Sequence, residues 1–220
     1  MFVCGPTVYY FIHIGNARTF VFFDVVAKYL RFRGYSLEYI QSLTDIEDKI
    51  IERAFQNSKS PAEWAKQFDK EFQKDMSSLG VTSVNRWGRS TEHIPEIIDQ
   101  VERLLKKGNA YVIEGDGIYF DLTTFPDYGK LAGRTVQMAE DGVSRIDDSP
   151  NKRNKGDFAI WKFSKPGEPS WPFGSAQGGD YAGRPGWHIE DTAVTEKYFG
   201  PQYELHGAAV DLIFPHHEAE

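Results

Sequence analysis

The sequence predicts an α/β protein built on a parallel sheet and interrupted by an insertion. Two observations carry this. Met1 to Cys4 is a short apolar run, and a helical repeat of Phe20, Phe23, Val26, Ala27 and Leu30 then leads to Gly34 and a second strand, Ser36-Leu37-Glu38-Tyr39-Ile40-Gln41. Strand, helix, strand in about forty residues opens a parallel sheet, with its ligand crevice at the strands' carboxyl ends. Much later, after a long irregular stretch, an apolar strand pattern returns at Asp157-Phe158-Ala159-Ile160-Trp161-Lys162. The reading is therefore 1–89 as the first half of the sheet domain, 90–156 as the insertion and 157–220 as the second half.

In chain order, Gly5-Pro6 makes a tight loop that reaches His13-Ile14-Gly15-Asn16 at the entrance of the first helix. A helix N-terminus has unpaired N–H groups and a positive dipole end, which favours anions. Gly15 has no side chain to keep a phosphate from the backbone. Taken alone, His-x-Gly-Asn describes a histidine near a helix cap equally well. Thr44 is placed as an N-cap with Glu47 as its capping-box partner. Pro61 starts a helix, Ala62 to Leu79, whose Trp64, Phe68, Phe72 and Met76 form one core-facing stripe. Ile94 to Lys107 repeats the pattern through Ile97, Ile98, Val101, Leu104 and Leu105, and stops at Gly108. Ala110 to Ile113 and Ile118 to Leu122 flank Glu-Gly-Asp-Gly, a hairpin signal. Phe125 to Pro150 is irregular, with an acidic run through Asp148 that reads as solvated surface. The loop after Lys162 is rich in Gly, Pro and Ser, and Ser175 to Ala182 reads as a local insertion. Gly186-Trp187-His188-Ile189-Glu190-Asp191 opens a last helix, to Tyr198.

Bulk properties narrow the classes. With one cysteine, Cys4, no internal disulfide forms, and neither a membrane-length apolar run nor a secretory signal is present, so cytoplasm is the expected compartment. A net charge of -7 argues against a general nucleic-acid coat. Oligomeric state is not legible.

Cys4-Gly5-Pro6-Thr7-Val8-Tyr9 followed by His13-Ile14-Gly15-Asn16-Ala17-Arg18-Thr19 closely resembles the signature of class I aminoacyl-tRNA synthetases, and within them the cysteinyl-tRNA synthetases. The resemblance implies a Rossmann-like, HUP-type parallel sheet whose 90–156 segment is the connective insertion; Phe125-Pro126-Asp127-Tyr128-Gly129-Lys130-Leu131 is similar to its sequence. It implies ATP-dependent activation of L-cysteine, with Mg²⁺, and transfer to the acceptor end of tRNA(Cys). It assigns His13, Gly15 and Asn16 to the HIGH-type catalytic motif. Thr7, Thr44 and Trp187 fall on substrate positions, and His13, Asn16, Gly207 and Asp211 on ATP positions. For Thr44 the capping role and the pocket role both stand.

Phe214-Pro215-His216-His217-Glu218-Ala219-Glu220, if helical, puts His216 and Glu220 four apart on one face, as a helix offers two ligands to one ion. By itself the run equally describes a solvated polar turn. The resemblance implies that Cys4, Asp191, His216 and Glu220 hold Zn²⁺, which selects the thiol of cysteine. Most of the family has cysteine where Asp191 stands, and Asp-Thr-Ala resembles an archaeal-type version. Zinc takes thiolate, imidazole and carboxylate, so the set remains chemically consistent. His188 reads as a ligand-orienting, substrate-reaching or structural histidine, and Glu190 and His217 as neighbours of the ligands.

The family pattern departs in three places. The sequence opens on the first strand, without the N-terminal segment the family normally has. Ala208 and Ala209 replace glycines near the adenosine position, where they would crowd the nucleotide or forbid a positive φ. The sequence reaches Glu220 without the Lys-Met-Ser-Lys-Ser loop or the anticodon-recognising domain. Two alternatives therefore stay open: a truncated or non-catalytic zinc- or nucleotide-binding paralogue, and a cysteine-activating ligase with a small amine acceptor. A zinc hydrolase lacks its His-Glu-x-x-His pattern.

Overall fold

The computed structural model describes residues 1–134, 149–174 and 181–220. The chain divides into two compact units, Met1–His93 with Val194–Ala209, and Ile94–Ala193 with Val210–Glu220.

The first unit holds β1 (Phe2–Val3), α1 (Ile14–Phe32), β2 (Ile40–Leu43), α2 (Asp48–Gln56), α3 (Pro61–Ser78), β3 (Arg86–Arg89) and β8 (His206–Gly207). Its sheet has the order β3-β2-β1-β8, and all its pairings are parallel. This is the expected parallel α/β sheet. The second strand lies further along than 36–41, because its partners Phe2, Val3 and Arg86–Arg89 meet residues 40–43. Trp64, Phe68, Phe72 and Met76 are buried against Phe20, Leu43 and Ile50, so the helical stripe is core as its spacing predicted.

Thr44 is not a helix cap. Its N–H donates to Pro6 O at 3.1 Å and its carbonyl accepts from Val8 N at 3.0 Å, in a parallel bridge with Thr7. The ladder holds Thr44 extended, so α2 starts later and Glu47 caps it, its carboxylate accepting from Lys49 N. At α3 the cap is Ser60, with a full capping box to Glu63. Ser60→Ala is expected to cost about 1 kcal/mol in urea unfolding; an unchanged midpoint would contradict the box.

Asp24 is a buried anchor on α1. It accepts from Thr82 N at 2.9 Å and Ser83 N at 2.8 Å, and pairs with Lys28. Burial pushes its carboxyl up, but the bonds from Lys28, Ser83 and Thr82 outweigh this and hold it below the usual range. A depressed folded pKa gives stability that is complete above the unfolded value, about 3.9, and is lost as pH falls through the folded one. Asp24→Asn should therefore melt below wild type at pH 7, with the gap narrowing in acid. A gap that widens in acid would contradict this.

The second unit holds α4 (Ile94–Lys107), β4 (Ala110–Ile113), β5 (Gly117–Phe120), β6 (Phe158–Phe163) and β7 (Gly183–Pro185). The sheet order is β4-β5-β6-β7, antiparallel throughout. Ile97, Val101, Ile118, Ile160, Trp161 and Phe173 form its core. Here the division differs from the sequence reading: the 157–162 run does not return to the parallel sheet but pairs with the hairpin strand β5. An apolar run specifies a strand; its partner is set by non-local pairing. The helix α5 (Ile189–Phe199) carries the boundary at Ala193/Val194. Most of the acidic run (135–148) and residues 175–180 of the local insertion lie outside the described residues.

Candidate metal centre and nucleotide crevice

In the first unit the carboxyl ends of β1, β2 and β8 gather several of the expected residues. Cys4 is buried, and its N–H donates to Gly207 O at 2.9 Å. Gly5 donates to Ser42 Oγ at 2.9 Å, and a Cβ on it would stand 1.7 Å from Ser42 O, so only glycine lets the loop after Cys4 pass β2. Thr7 and Thr44 face each other in their bridge. His13 is the N-cap of α1, with its Nδ1 accepting from Gly15 N at 3.0 Å. The space beside Gly15 is taken by that imidazole, whose Cε1 would lie 2.7 Å from a Cβ. Gly15 thus makes room first for His13. His13, Gly15 and Asn16 are exposed at the helix entrance. Among the described residues Ser58 and His188 are the non-glycines at positive φ, so Ala208 and Ala209 avoid the strain the sequence suggested.

In the second unit three expected ligands come together. Asp191 lies in the first turn of α5, His216 lies in the short helical segment Ile213–His217, and Glu220 stands just after it. His216 Nε2 is 2.9 Å from Glu220 Oε1 and 3.6 Å from Asp191 Oδ2. The Asp191 and Glu220 side chains are only 3% and 4% exposed. Two buried carboxylates around one imidazole nitrogen need positive charge nearby, which a divalent cation supplies. The donor set therefore fits a zinc-type ion. Trp187 is half-buried, its ring 6.3 Å from that of His216. Asp211 is exposed in the turn Val210–Leu212.

Neighbours shape this cluster. His188 is buried at φ 75, and its Nδ1 is 2.6 Å from His216 Nδ1. Burial, then the neighbouring His216 imidazole, push His188 well below the ordinary histidine range. Burial and adjacent Asp191 push the Glu190 carboxyl up to about 8. His217 Nδ1 is 3.0 Å from Glu220 Oε2. Sequence reasoning missed Glu218, which accepts from Gly129 N and Ala132 N at 2.7 Å and from Leu131 N at 3.4 Å. Its one available signal was its place between two expected ligands.

A family model described as the tRNA synthetases class I (C) catalytic domain matches residues 1–220. The chain belongs to this family. Among curated relatives, the class I (C) domain is 53% identical to a cysteine–tRNA ligase of Thermoplasma acidophilum, over 100% of this chain and 47% of that protein. It is 48% identical to one of Methanococcus maripaludis, over 100% of this chain and 45% of that protein. The chain spans about half the length of the curated relatives it matches. A solved Mycobacterium tuberculosis methionyl-tRNA synthetase in complex with methionyl-adenylate superposes with a TM-score of 0.65 at 15% identity, over 96% of this chain and 51% of that one. That likeness supports the Rossmann-like fold. Among the described residues no helix is long and apolar enough to cross a membrane.

Proposed function

We propose that the chain is the catalytic part of a cysteine–tRNA ligase, activating L-cysteine with ATP and Mg²⁺ and passing it to the acceptor end of tRNA(Cys). The observation that carries this is the gathering of Asp191, His216 and Glu220 in a chain 53% identical to a protein of that name. In the reading, the cysteine carboxylate attacks the α-phosphate of ATP; the new C–O–P bond forms as the bond to pyrophosphate breaks. The protein positions and stabilises charge, with no side chain as nucleophile. His13 and Asn16 at the α1 entrance, with Gly207 and Asp211, hold the nucleotide. Thr7, Thr44 and Trp187 line the amino-acid side.

Cys4, Asp191, His216 and Glu220 hold zinc in this reading. Bound there, zinc supplies preference for a thiol over a hydroxyl, because a thiol with pKa near 8.5 ionises far more readily than an alcohol. Apolar pockets discriminate one-atom differences poorly, so a metal is a strong selector. The reading places the protein in the cytoplasm with translation.

The test is calorimetric binding of cysteine and serine to the zinc-loaded protein, repeated after chelation. Binding of cysteine alone, lost with the metal, is expected. Equal binding of both amino acids, or none of either, would end the cysteine-selecting reading.

A further inference from the structure

We propose that His188 is a positioning residue that decides whether Nε2 of His216 can ligate a metal. It rests on reading Asp191, His216 and Glu220 as metal ligands. Nδ1 of His188 and Nδ1 of His216 are 2.6 Å apart. Nitrogens that close share one proton, since two N–H groups collide and two lone pairs repel. Across the same ring, Nε2 of His216 faces Glu220 Oε1 at 2.9 Å and Asp191 Oδ2 at 3.6 Å. The position of the shared proton sets what Nε2 offers. With the proton on His188, neutral His216 carries its N–H at Nε2 and donates to Glu220. With the proton on His216 Nδ1, Nε2 presents a lone pair to the space between the carboxylates, the form a metal requires.

The surroundings hold His188 for this task. Phe158 packs edge-on against its ring at 4.7 Å and 89°, and Trp187 at 5.6 Å. Its backbone is left-handed, φ 75, a region that histidine and asparagine enter more readily than most residues. A carboxylate is a frequent outer partner of metal-bound histidine. Placed here, it would add negative charge beside Asp191 and Glu220 and fix the proton on His216. An imidazole accepts the proton without adding charge, and can return it.

The exchange balances. On metal uptake a proton leaves His216 Nε2, the shared proton passes from His188 Nδ1 to His216 Nδ1, and His188 gains a proton at Nε2. The pair holds two protons before and after. His188 also lines a cavity of about 260 Å³ with Gln100, Phe120 and Thr192, large enough for water to exchange a proton with the ring.

Two variants and one spectrum test this. His188→Asn keeps an acceptor oxygen near the Nδ1 position and suits the backbone; His188→Gly suits the backbone and removes the acceptor. Chelator competition should show zinc affinity falling 10–100-fold in His188→Gly, recovering with added imidazole, and staying within ~3-fold of wild type in His188→Asn. Long-range proton–nitrogen spectra of the wild-type imidazoles should place the His216 proton on Nδ1 with zinc and on Nε2 without. Wild-type affinity in His188→Gly, or a zinc-loaded wild type with the proton on His188 Nδ1, overturns the proposal. The second result decides even where the glycine variant fails to fold. A wild-type protein that takes up no zinc fails the metal reading itself and takes this inference with it.

Discussion

Asp157→Ala is expected to destabilise the protein by about 3–5 kcal/mol in urea unfolding, since charge-assisted bonds carry about 1.5–3 kcal/mol each and buried donors left without partners cost more. Asp157 is fully buried at the entrance to β6. It accepts from Tyr111 Oη at 2.7 Å, from Leu122 N and Asn154 N at 3.0 Å, and from Asn154 Nδ2 at 3.2 Å. Tyr111 in turn accepts from Arg153 N at 2.9 Å and lies beneath the Arg153 guanidinium at 4.1 Å. One carboxylate thus ties β4, the end of β5 and the 151–154 turn to β6. Asp157→Asn keeps the shape but turns one acceptor into a donor, so an intermediate loss is expected. Trp161, buried in the same strand, reports the transition by fluorescence. A shift below about 1 kcal/mol for the alanine variant would mean the hub is replaceable by water.

His216→Ala is expected to lower zinc affinity by more than ~100-fold, beyond the 10–100-fold that outer partners of a metal site carry. The imidazole stands between the Asp191 and Glu220 carboxylates. Its removal leaves two close carboxylates and no nitrogen donor between them. Because the His216 side chain is only a small part of the core, far-ultraviolet dichroism should stay close to wild type. Metal content after dialysis, with cysteine binding measured on the same sample, checks the prediction. Retained stoichiometric zinc would place the metal elsewhere.

Much of the first unit was legible because its signals are local. The stripe of Trp64, Phe68, Phe72 and Met76 needs only the helical period, and all four side chains are buried. Thr44 and Glu47 show where local reading stops. Both carry a capping oxygen, and the choice between them was made by the bridge to Thr7, which the Thr-Asp-Ile-Glu run does not contain. The apolar run at β6 announced a strand but not its sheet, since Ile118 and Trp161 are paired across a long separation. At the site, the i, i+4 spacing of His216 and Glu220 was readable and Glu220 N does bond His216 O at 3.2 Å. The facing nitrogens of His188 and His216 were not, because nothing in the sequence brings together rings 28 positions apart.

The three amides gripped by Glu218 tie the Gly129–Ala132 loop to the turn bearing His216 and Glu220. Opening either piece alone strands the carboxylate or its donors, so the two are expected to exchange their amide hydrogens as one cooperative patch. An ion seated on His216 and Glu220 would hold that turn closed, and by linkage would slow exchange in the loop as well. Occupancy of the metal centre would then be recorded at the amide of Gly129, which lies 89 positions from Glu218 in sequence and carries no ligand of its own.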